Sequence, residues 1–297
     1  MGLFGFGRTK ATGIHISGQT VRVAALDAGR AGIRPLVLAA DELERPFDPV
    51  ALGDEQLRQG LAAKLVALAT AYDFDYSNAC FSLDRRLGLI QRRPLVAETE
   101  RENREQLLWE SEQILAGEAR AFSCDFALTS QWGFVVAARQ RALDCYRALV
   151  KETAVGQLDV DLAPFALYNA SECANLLAKD KFSLLLYADM GEAWLLLTEE
   201  GELAALTSCV WEEEDDAAEA LEGAARKLLS EGSNGLQRLW GAGVVYWSES
   251  LAAHLGVPHS ILDPLAAVNP KLLGSATPAQ RSAYAIAVGL AQRGLAQ

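Results

Sequence analysis

The two halves of the chain repeat one order of predicted elements, and this repetition limits the folds that are open to it. The first half begins with three short apolar runs over 13–16, 21–26 and 33–39, separated by turns that contain glycine. The second half has an apolar strand over 182–190 and a hairpin with its turn at Glu200 and Gly201. In each half a helix and a further strand follow. This alternation favours an α/β fold over a β-sandwich.

Several helices are predicted from their N-terminal signals. Asp54 is placed to cap a helix that carries leucines at helical spacing, and Thr99 with Glu102 forms a capping-box pattern before a long charged helix. Thr277 followed by Pro278 marks the start of the last helix. We expect a first lobe over 1–180, interrupted at about 94–145 by an αββα insertion. A second lobe is expected over 181–276, and a C-terminal helix over 277–297 that packs back toward the first lobe.

The charge and the cysteines exclude several classes of protein. Asp and Glu number 39 against 27 Lys and Arg, so the net charge of −12 repels nucleic acid. The five cysteines contain no C-x-x-C pair, which is typical of reduced core residues. No apolar run reaches the ~20 residues of a membrane span, so we expect a cytoplasmic protein. The opening MGLFGFGR is interpreted either as a frayed terminus or as a weak membrane-surface contact.

Three turns have the composition of phosphate-binding loops. Amides of a tight Gly/Ser/Thr turn can point at an anion, and two such hairpins that face each other form a two-sided clamp. Any tight hairpin uses the same residues, so each turn is also explained by its backbone geometry alone. The candidates are Ser17, Gly18, Thr20 and Arg22 in the first turn, Asp189 and Gly191 in the second, and Gly241 and Gly243 in the third.

These turns, in this order, resemble the actin-like ATPase superfamily and, more specifically, the PilM-like proteins of type IV pilus assembly. GIHISGQTVRV is similar to the family opening G-I-D-I-G-S-x-x-V-K-V, and YADMG to its D-I-G turn. LDVDLAPFALYNA, GAGVVYWSESLAAHLGVP and AYAIAVGLAQR resemble later family segments. The resemblance implies a two-lobed fold that binds Mg-ATP between the lobes, with the insertion as a small subdomain of the first lobe.

The departures from the family pattern concern the nucleotide site. His15 stands where the family has the carboxylate that holds the water shell of Mg²⁺, and imidazole is a poor ligand for this hard ion. We therefore interpret His15 as a hydrogen-bonded strand residue. Arg22 is placed either to meet an anion or to be solvated, and Glu192 adds a negative charge beside the second turn. Asp161 matches the acid of the connecting strand, but Ala163 replaces the acid that follows it, so a water-activating pair is broken.

The interval between Val210 and Leu236 is too short for a subdomain with its own core. By the resemblance, a lid over the nucleotide belongs there, so we expect a reduced second lobe that lacks most of it. Asp161 and Asp189 are equally explained as capping or turn residues.

Three functions remain open at this point. The resemblance implies a non-catalytic scaffold that binds the cytoplasmic N-terminal tail of a PilN-like single-pass protein. The protein would then be peripheral to the inner membrane, with the tail on the apolar surface between the insertion and the first sheet. No catalytic residue, metal or cofactor is expected, and the nucleotide residues are vestigial. The alternatives are an active ATPase or kinase that binds Mg-ATP in the interlobe cleft, and an actin-like adaptor of another kind, such as a cell-division protein.

Overall fold

The computed structural model describes residues 10–29, 32–48, 53–115, 118–153, 156–177, 181–230 and 235–296. The strands are β1 Lys10–Ser17, β2 Thr20–Gly29, β3 Gly32–Glu42, β4 Ala79–Leu83, β5 Gly88–Pro94, β6 Phe122–Leu128, β7 Trp132–Arg139, β8 Leu158–Leu162, β9 Phe182–Asp189, β10 Glu192–Glu199, β11 Glu202–Val210, β12 Arg238–Gly243 and β13 His259–Ile261. The helices are α1 Glu55–Tyr72, α2 Glu100–Ile114, α3 Gln140–Glu152, α4 Ala163–Cys173, α5 Ala217–Ser230, α6 Val245–Leu255, α7 Pro278–Ser282 and α8 Ala285–Leu295.

Two five-stranded sheets with the same strand arrangement form the two lobes. The first sheet has the order β3-β2-β1-β4-β8, and the second has the order β11-β10-β9-β12-β13. In each sheet three antiparallel strands precede two parallel ones. The weak duplication in the sequence is therefore a duplication of topology. One apolar core continues from Ile14 and Phe81 in the first lobe to Tyr187 and Leu196 in the second.

The insertion begins earlier than the sequence indicates. Its sheet has three antiparallel strands in the order β5-β7-β6, so it begins at Gly88, and α3, which follows β7, packs on α1 and β8 of the first lobe as well as on β7. The prediction missed β5 because this strand carries Gln91, Arg92 and Arg93 in place of an apolar alternation. These side chains are nevertheless held, since Arg93 pairs with Glu110 of α2 at 2.8 Å.

The predicted N-cap residues are confirmed, but the capping box predicted at Thr99 is formed only in part: Thr99 accepts the N–H of Glu102, and the Glu102 carboxylate accepts the Thr99 hydroxyl. Asp54 accepts hydrogen bonds from the N–H groups of Gln56 and Leu57. Thr277 forms a complete capping box with Gln280, although the ending predicted as one helix is divided into α7 and α8.

Helix α8 lies on the first lobe, against β1, β2, β4 and α4. Gly13 and Gly289 permit this close packing, because a Cβ atom on either one would lie within 2 Å of a backbone carbonyl oxygen. Among the described residues between β11 and β12, a short 3₁₀ turn over 214–216 and α5 are the regular elements. The second lobe therefore lacks most of a lid subdomain. The N-terminal segment 1–9, with its predicted membrane contact, lies outside the described residues.

Candidate functional site

The two hairpin turns predicted as a phosphate clamp lie directly against each other. Gly18 has φ +56° at the first turn and Gly191 has φ +80° at the second, a left-handed geometry that favours glycine. A Cβ atom on Gly18 would lie 3.8 Å from the carbonyl oxygen of Met190. The hydroxyl of Ser17 donates across the cleft to Glu192 Oε1 at 3.0 Å. The turns therefore contact one another in this arrangement.

Arg22 and Asp189 form an ion pair across the same cleft. The guanidinium donates from Nη1 to Asp189 Oδ2, and from Nη2 to Oδ1 at 3.3 Å. The Arg22 side chain is 13% exposed and that of Asp189 is 1% exposed. Tyr187 donates its hydroxyl to Asp189 Oδ2 at 3.2 Å, and burial, with the nearby carboxylate, raises the pKa of this tyrosine well above its ordinary value. Arg22 is thus neither solvated nor free to meet an external anion.

His15 is a buried, hydrogen-bonded strand residue, as predicted. Its Nδ1 lies 2.8 Å from Ser82 Oγ, and its ring makes an edge contact with Tyr187 at 5.5 Å between centroids. Burial, and then the charge of Arg22, lower the pKa of His15 to about 4. The imidazole is therefore neutral near pH 7.

The remaining predicted residues take no part in the hydrogen bonds between the two turns. The hydroxyl of Thr20 donates to Glu42 Oε1 on β3 at 2.9 Å. A Cβ atom on Gly241 would lie 1.9 Å from Ser248 Oγ of α6. One on Gly243, which has φ +77°, would lie 2.0 Å from a carbonyl oxygen of β9. Close packing of β12 on its neighbours therefore accounts for both glycines.

The interlobe residues do not fit a magnesium nucleotide in this arrangement. The cation and the carboxylate that the clamp would offer to phosphate and to Mg²⁺ neutralise each other, and Glu192 adds a second carboxylate. In the described part of the chain, no three His, Cys, Asp or Glu side chains are grouped so that they could hold a metal ion.

An open groove lies between the insertion and the first lobe. It has a volume of about 320 Å³ and runs between β6, an edge strand of the insertion sheet, and β8, an edge strand of the first sheet. Its apolar walls are formed by Phe134, Val136, Leu143, Val160, Leu162 and Phe165. The sequence analysis indicated this region but assigned none of its residues to partner binding, because a groove between two sheet edges exists only once the topology is known.

Both edge strands of the groove carry an aspartate whose carboxylate accepts a hydrogen bond from the backbone N–H of the next residue. Asp125 Oδ1 accepts the N–H of Phe126 at 2.8 Å, and Asp161 Oδ1 accepts that of Leu162 at 2.8 Å. Asp161 also accepts a hydrogen bond from Arg293 at 3.1 Å. Burial raises the pKa of Asp161, and the charge of Asp125 raises it further. The groove thus combines apolar walls with two carboxylates at strand edges.

The insertion also reaches the second lobe. Arg92 donates to the carbonyl oxygen of Ala204 at 2.9 Å and stacks on the Trp132 ring. The backbone N–H of Ser130 donates to Glu202 at 2.8 Å. Both lobes therefore support the insertion that forms one wall of the groove.

Comparisons with known proteins support the fold. The sequence matches no protein-family model, and no curated protein matches it. Among solved structures, a PilM–PilN type IV pilus biogenesis complex superposes with a TM-score of 0.72 at 20% identity, covering 96% of this chain and 98% of that one. A Bacteroides thetaiotaomicron protein with an actin-like ATPase fold has a TM-score of 0.52 at 12% identity, covering 93% and 100%.

A third structure comes from a secretion system. The cytoplasmic domain of EpsL, an inner membrane component of the type II secretion system of Vibrio cholerae, has a TM-score of 0.51 at 9% identity and covers 83% of this chain and 95% of that one. At these identities the likeness concerns the fold alone. The chain has the two-lobed actin-like ATPase fold, and its structure is similar over nearly its whole length to PilM.

Proposed function

We propose that the protein is a non-catalytic scaffold of a type IV pilus-type assembly platform, and that its groove binds the cytoplasmic tail of a PilN-like membrane protein. The observation that carries this proposal is the open groove between β6 and β8. An extended peptide binds well to a sheet edge, where its backbone pairs with the strand and its side chains enter apolar pockets.

The charge of the groove favours a basic tail. Cytoplasmic segments beside a membrane span carry an excess of Lys and Arg. The chain has a net charge of −12, and Asp125 and Asp161 lie at the two edges of the groove, where Arg293 pairs with Asp161 and a net negative charge remains. A short segment that combines apolar residues with a Lys or Arg therefore matches both the walls and the carboxylates.

The similar structures agree with this assignment. One contains PilM together with PilN, and another is the cytoplasmic domain of an inner membrane secretion component. None of the described helices of the present chain is both long and apolar enough to span a membrane. We propose a cytoplasmic location at the inner membrane, reached through the membrane partner.

We also propose that nucleotide binding is lost. The support is the pairing of Arg22 with Asp189 and of Ser17 with Glu192, because these groups would have to separate before phosphate could approach them. The alternative of an active ATPase or kinase would require these two pairs to open.

Calorimetry with a synthetic tail peptide tests the scaffold function. The peptide is a ~20-residue cytoplasmic N-terminal tail of a PilN-like single-pass membrane protein that combines apolar residues with Lys and Arg, and we expect a dissociation constant of roughly 1 μM, about −8 kcal/mol. Val160→Arg places a charged side chain in the groove and is expected to weaken binding at least ~100-fold, about 2.7 kcal/mol.

Val66→Arg is the matched control, because Val66 is an exposed valine of the same lobe on α1, outside the groove. It should bind the peptide like the unmodified protein. Absence of heat at high peptide concentration, or equal weakening by both valine variants, would refute the proposed function.

A further inference from the structure

We propose that Ser17, Arg22, Arg85, Asp189 and Glu192 form an interlobe latch, which holds the two facing hairpins together without any nucleotide. In a two-lobed clamp, a ligand favours the closed arrangement through contacts that it makes only there. Here the protein makes such contacts with its own side chains. The latch does not involve the groove, so its test is independent of the proposed function.

The centre of the latch is a buried, two-pronged pair. Arg22 lies on β2 of the first lobe and Asp189 at the end of β9 in the second, 167 residues later in the chain. A planar guanidinium that binds both oxygens of a carboxylate is the strongest form of an ion pair. Because both groups are withdrawn from water, removing one of them by mutation would leave the other as a buried charge without its counterion. The pair therefore couples the two hairpins.

The flanking contacts satisfy the second carboxylate of the cleft. Glu192 accepts the Ser17 hydroxyl on one oxygen at 3.0 Å, and its other oxygen lies 3.7 Å from Arg85 Nε. Ser17 and Arg85 belong to the first lobe and Glu192 to the second. Each carboxylate of the second-lobe turn thus has an arginine of the first lobe as its counterion.

A third link lies behind the pair. Tyr187 holds Asp189 through its hydroxyl and lies 3.4 Å from the carbonyl oxygen of Ala283, which precedes α8. Since α8 packs on the first lobe, the tyrosine connects Asp189 to both lobes. This arrangement fixes the carboxylate in the orientation that meets Arg22.

A double-mutant cycle tests the latch. Arg22→Met keeps the aliphatic stem, Asp189→Asn keeps the shape, and the third variant combines them. We expect each single change to raise the unfolding equilibrium constant at least tenfold, and the double change to be far from additive. Hydrogen exchange of the backbone amides over 17–20 and 189–192 should become at least tenfold faster in the single variants.

The matched control is the pair between Arg58 of α1 and Glu152 of α3, whose Nε–Oε1 distance is 2.8 Å within the first lobe. Arg58 is 15% exposed, close to the value for Arg22. Arg58→Met and Glu152→Gln should leave exchange at both hairpin turns unchanged. A purely general loss of stability would instead accelerate exchange equally in both sets of variants.

The proposal would be overturned if the effects of the two single changes on unfolding free energy were additive. It would also be overturned if hydrogen exchange at the hairpins were the same as in the control variants. If Arg22→Met does not fold, Arg22→Lys and the exchanged pair Arg22→Asp with Asp189→Arg replace it. Recovery of folding in the exchanged pair supports the latch. Arg22→Lys with unmodified stability and exchange contradicts it, because a lysine cannot make the two-pronged contact.

Discussion

The interlobe cleft and the insertion groove are both spaces between two sheets, but the protein fills one and leaves the other open. In the cleft, Arg22 binds Asp189 and Ser17 binds Glu192, so the polar groups of the two lobes satisfy each other. In the groove, Asp125 and Asp161 accept backbone N–H groups of their own strands, Asp161 also pairs with Arg293, and the apolar walls face an open volume. The difference teaches that two spaces between sheets can differ in chemistry: internal pairs occupy the polar groups of the cleft, and we propose that the apolar groove takes the partner.

The buried histidine of the cleft gives the largest expected effect. His15 has a pKa of about 4 in the folded protein, lowered mainly by burial from an ordinary value of 6.5. The unfolded chain therefore takes up a proton between pH 6.5 and 4 that the folded protein does not. This contribution is fully present above pH 6.5, and about 3 kcal/mol of the unfolding free energy is lost as the pH falls to about 4.

Urea unfolding measured at several pH values checks this expectation. His15→Asn keeps a polar group near Ser82 but has no titrating ring, so its stability should fall less over this pH range. A His15→Asn curve parallel to that of the unmodified protein would contradict the interpretation of His15 as a buried, neutral imidazole.

A charge change in the groove gives the next effect. Asp161→Asn removes a carboxylate at the edge of β8, and we expect the affinity for a basic tail peptide to fall about tenfold, ~1.4 kcal/mol. The dependence of binding on salt should also become weaker, because screening acts on the charge that was removed. Calorimetry at two salt concentrations measures both quantities.

Asp144→Asn makes the same change of net charge at an exposed position on α3, paired only with groups of its own helix. Its peptide affinity should be unchanged. Equal weakening in the two variants would show that net charge, and not the groove, attracts the tail.

Gly18→Ala tests whether Gly18 is needed for its backbone conformation or for contact with a ligand in the cleft. At φ +56° an alanine is strained, although its Cβ atom would have ordinary contacts with Met190. We expect a loss of about 1 kcal/mol in the unfolding free energy and no change in peptide affinity. Gly60→Ala, in α1 with open space around the Cβ position, should instead stabilise by about 0.5–1 kcal/mol. Thermal or urea unfolding distinguishes the two; a weakened peptide affinity in Gly18→Ala would show that cleft and groove are coupled.

Most of the fold can be predicted from the sequence, because its strands and helices carry local signals. The apolar runs and the glycine turns predict β1 to β3 and β9 to β11, and the caps at Asp54 and Thr277 mark helix starts. Strand β5 cannot be predicted in this way, since its Arg92 and Arg93 bind partners on other elements of the chain. An alternation of apolar residues cannot identify a strand whose long polar side chains are satisfied elsewhere.

Less of the candidate site can be predicted from the sequence, because the site depends on contacts between segments that are distant in the chain. The sequence predicts His15 as a poor magnesium ligand, but it leaves Arg22 open between an anion and solvent. Its partner Asp189 is fixed only when the two hairpins meet. The groove likewise depends on which strands become sheet edges, and no residue of β6 indicates in the sequence that this strand lies at an edge.

Mg-ATP gives the smallest expected effect, and it is the sharpest contrast between the two spaces. A ligand that binds only the folded state raises the unfolding free energy with the logarithm of the ratio of its concentration to its dissociation constant. At a ligand concentration 100 times the dissociation constant, the gain is about 2.7 kcal/mol. The tail peptide should raise the melting temperature accordingly. Mg-ATP at about 1 mM should shift it by less than the equivalent of ~0.4 kcal/mol, the limit for a dissociation constant no tighter than 1 mM. A magnesium-dependent rise would mean that the Arg22–Asp189 pair opens for phosphate, and the closed cleft would then be one state of a working nucleotide site.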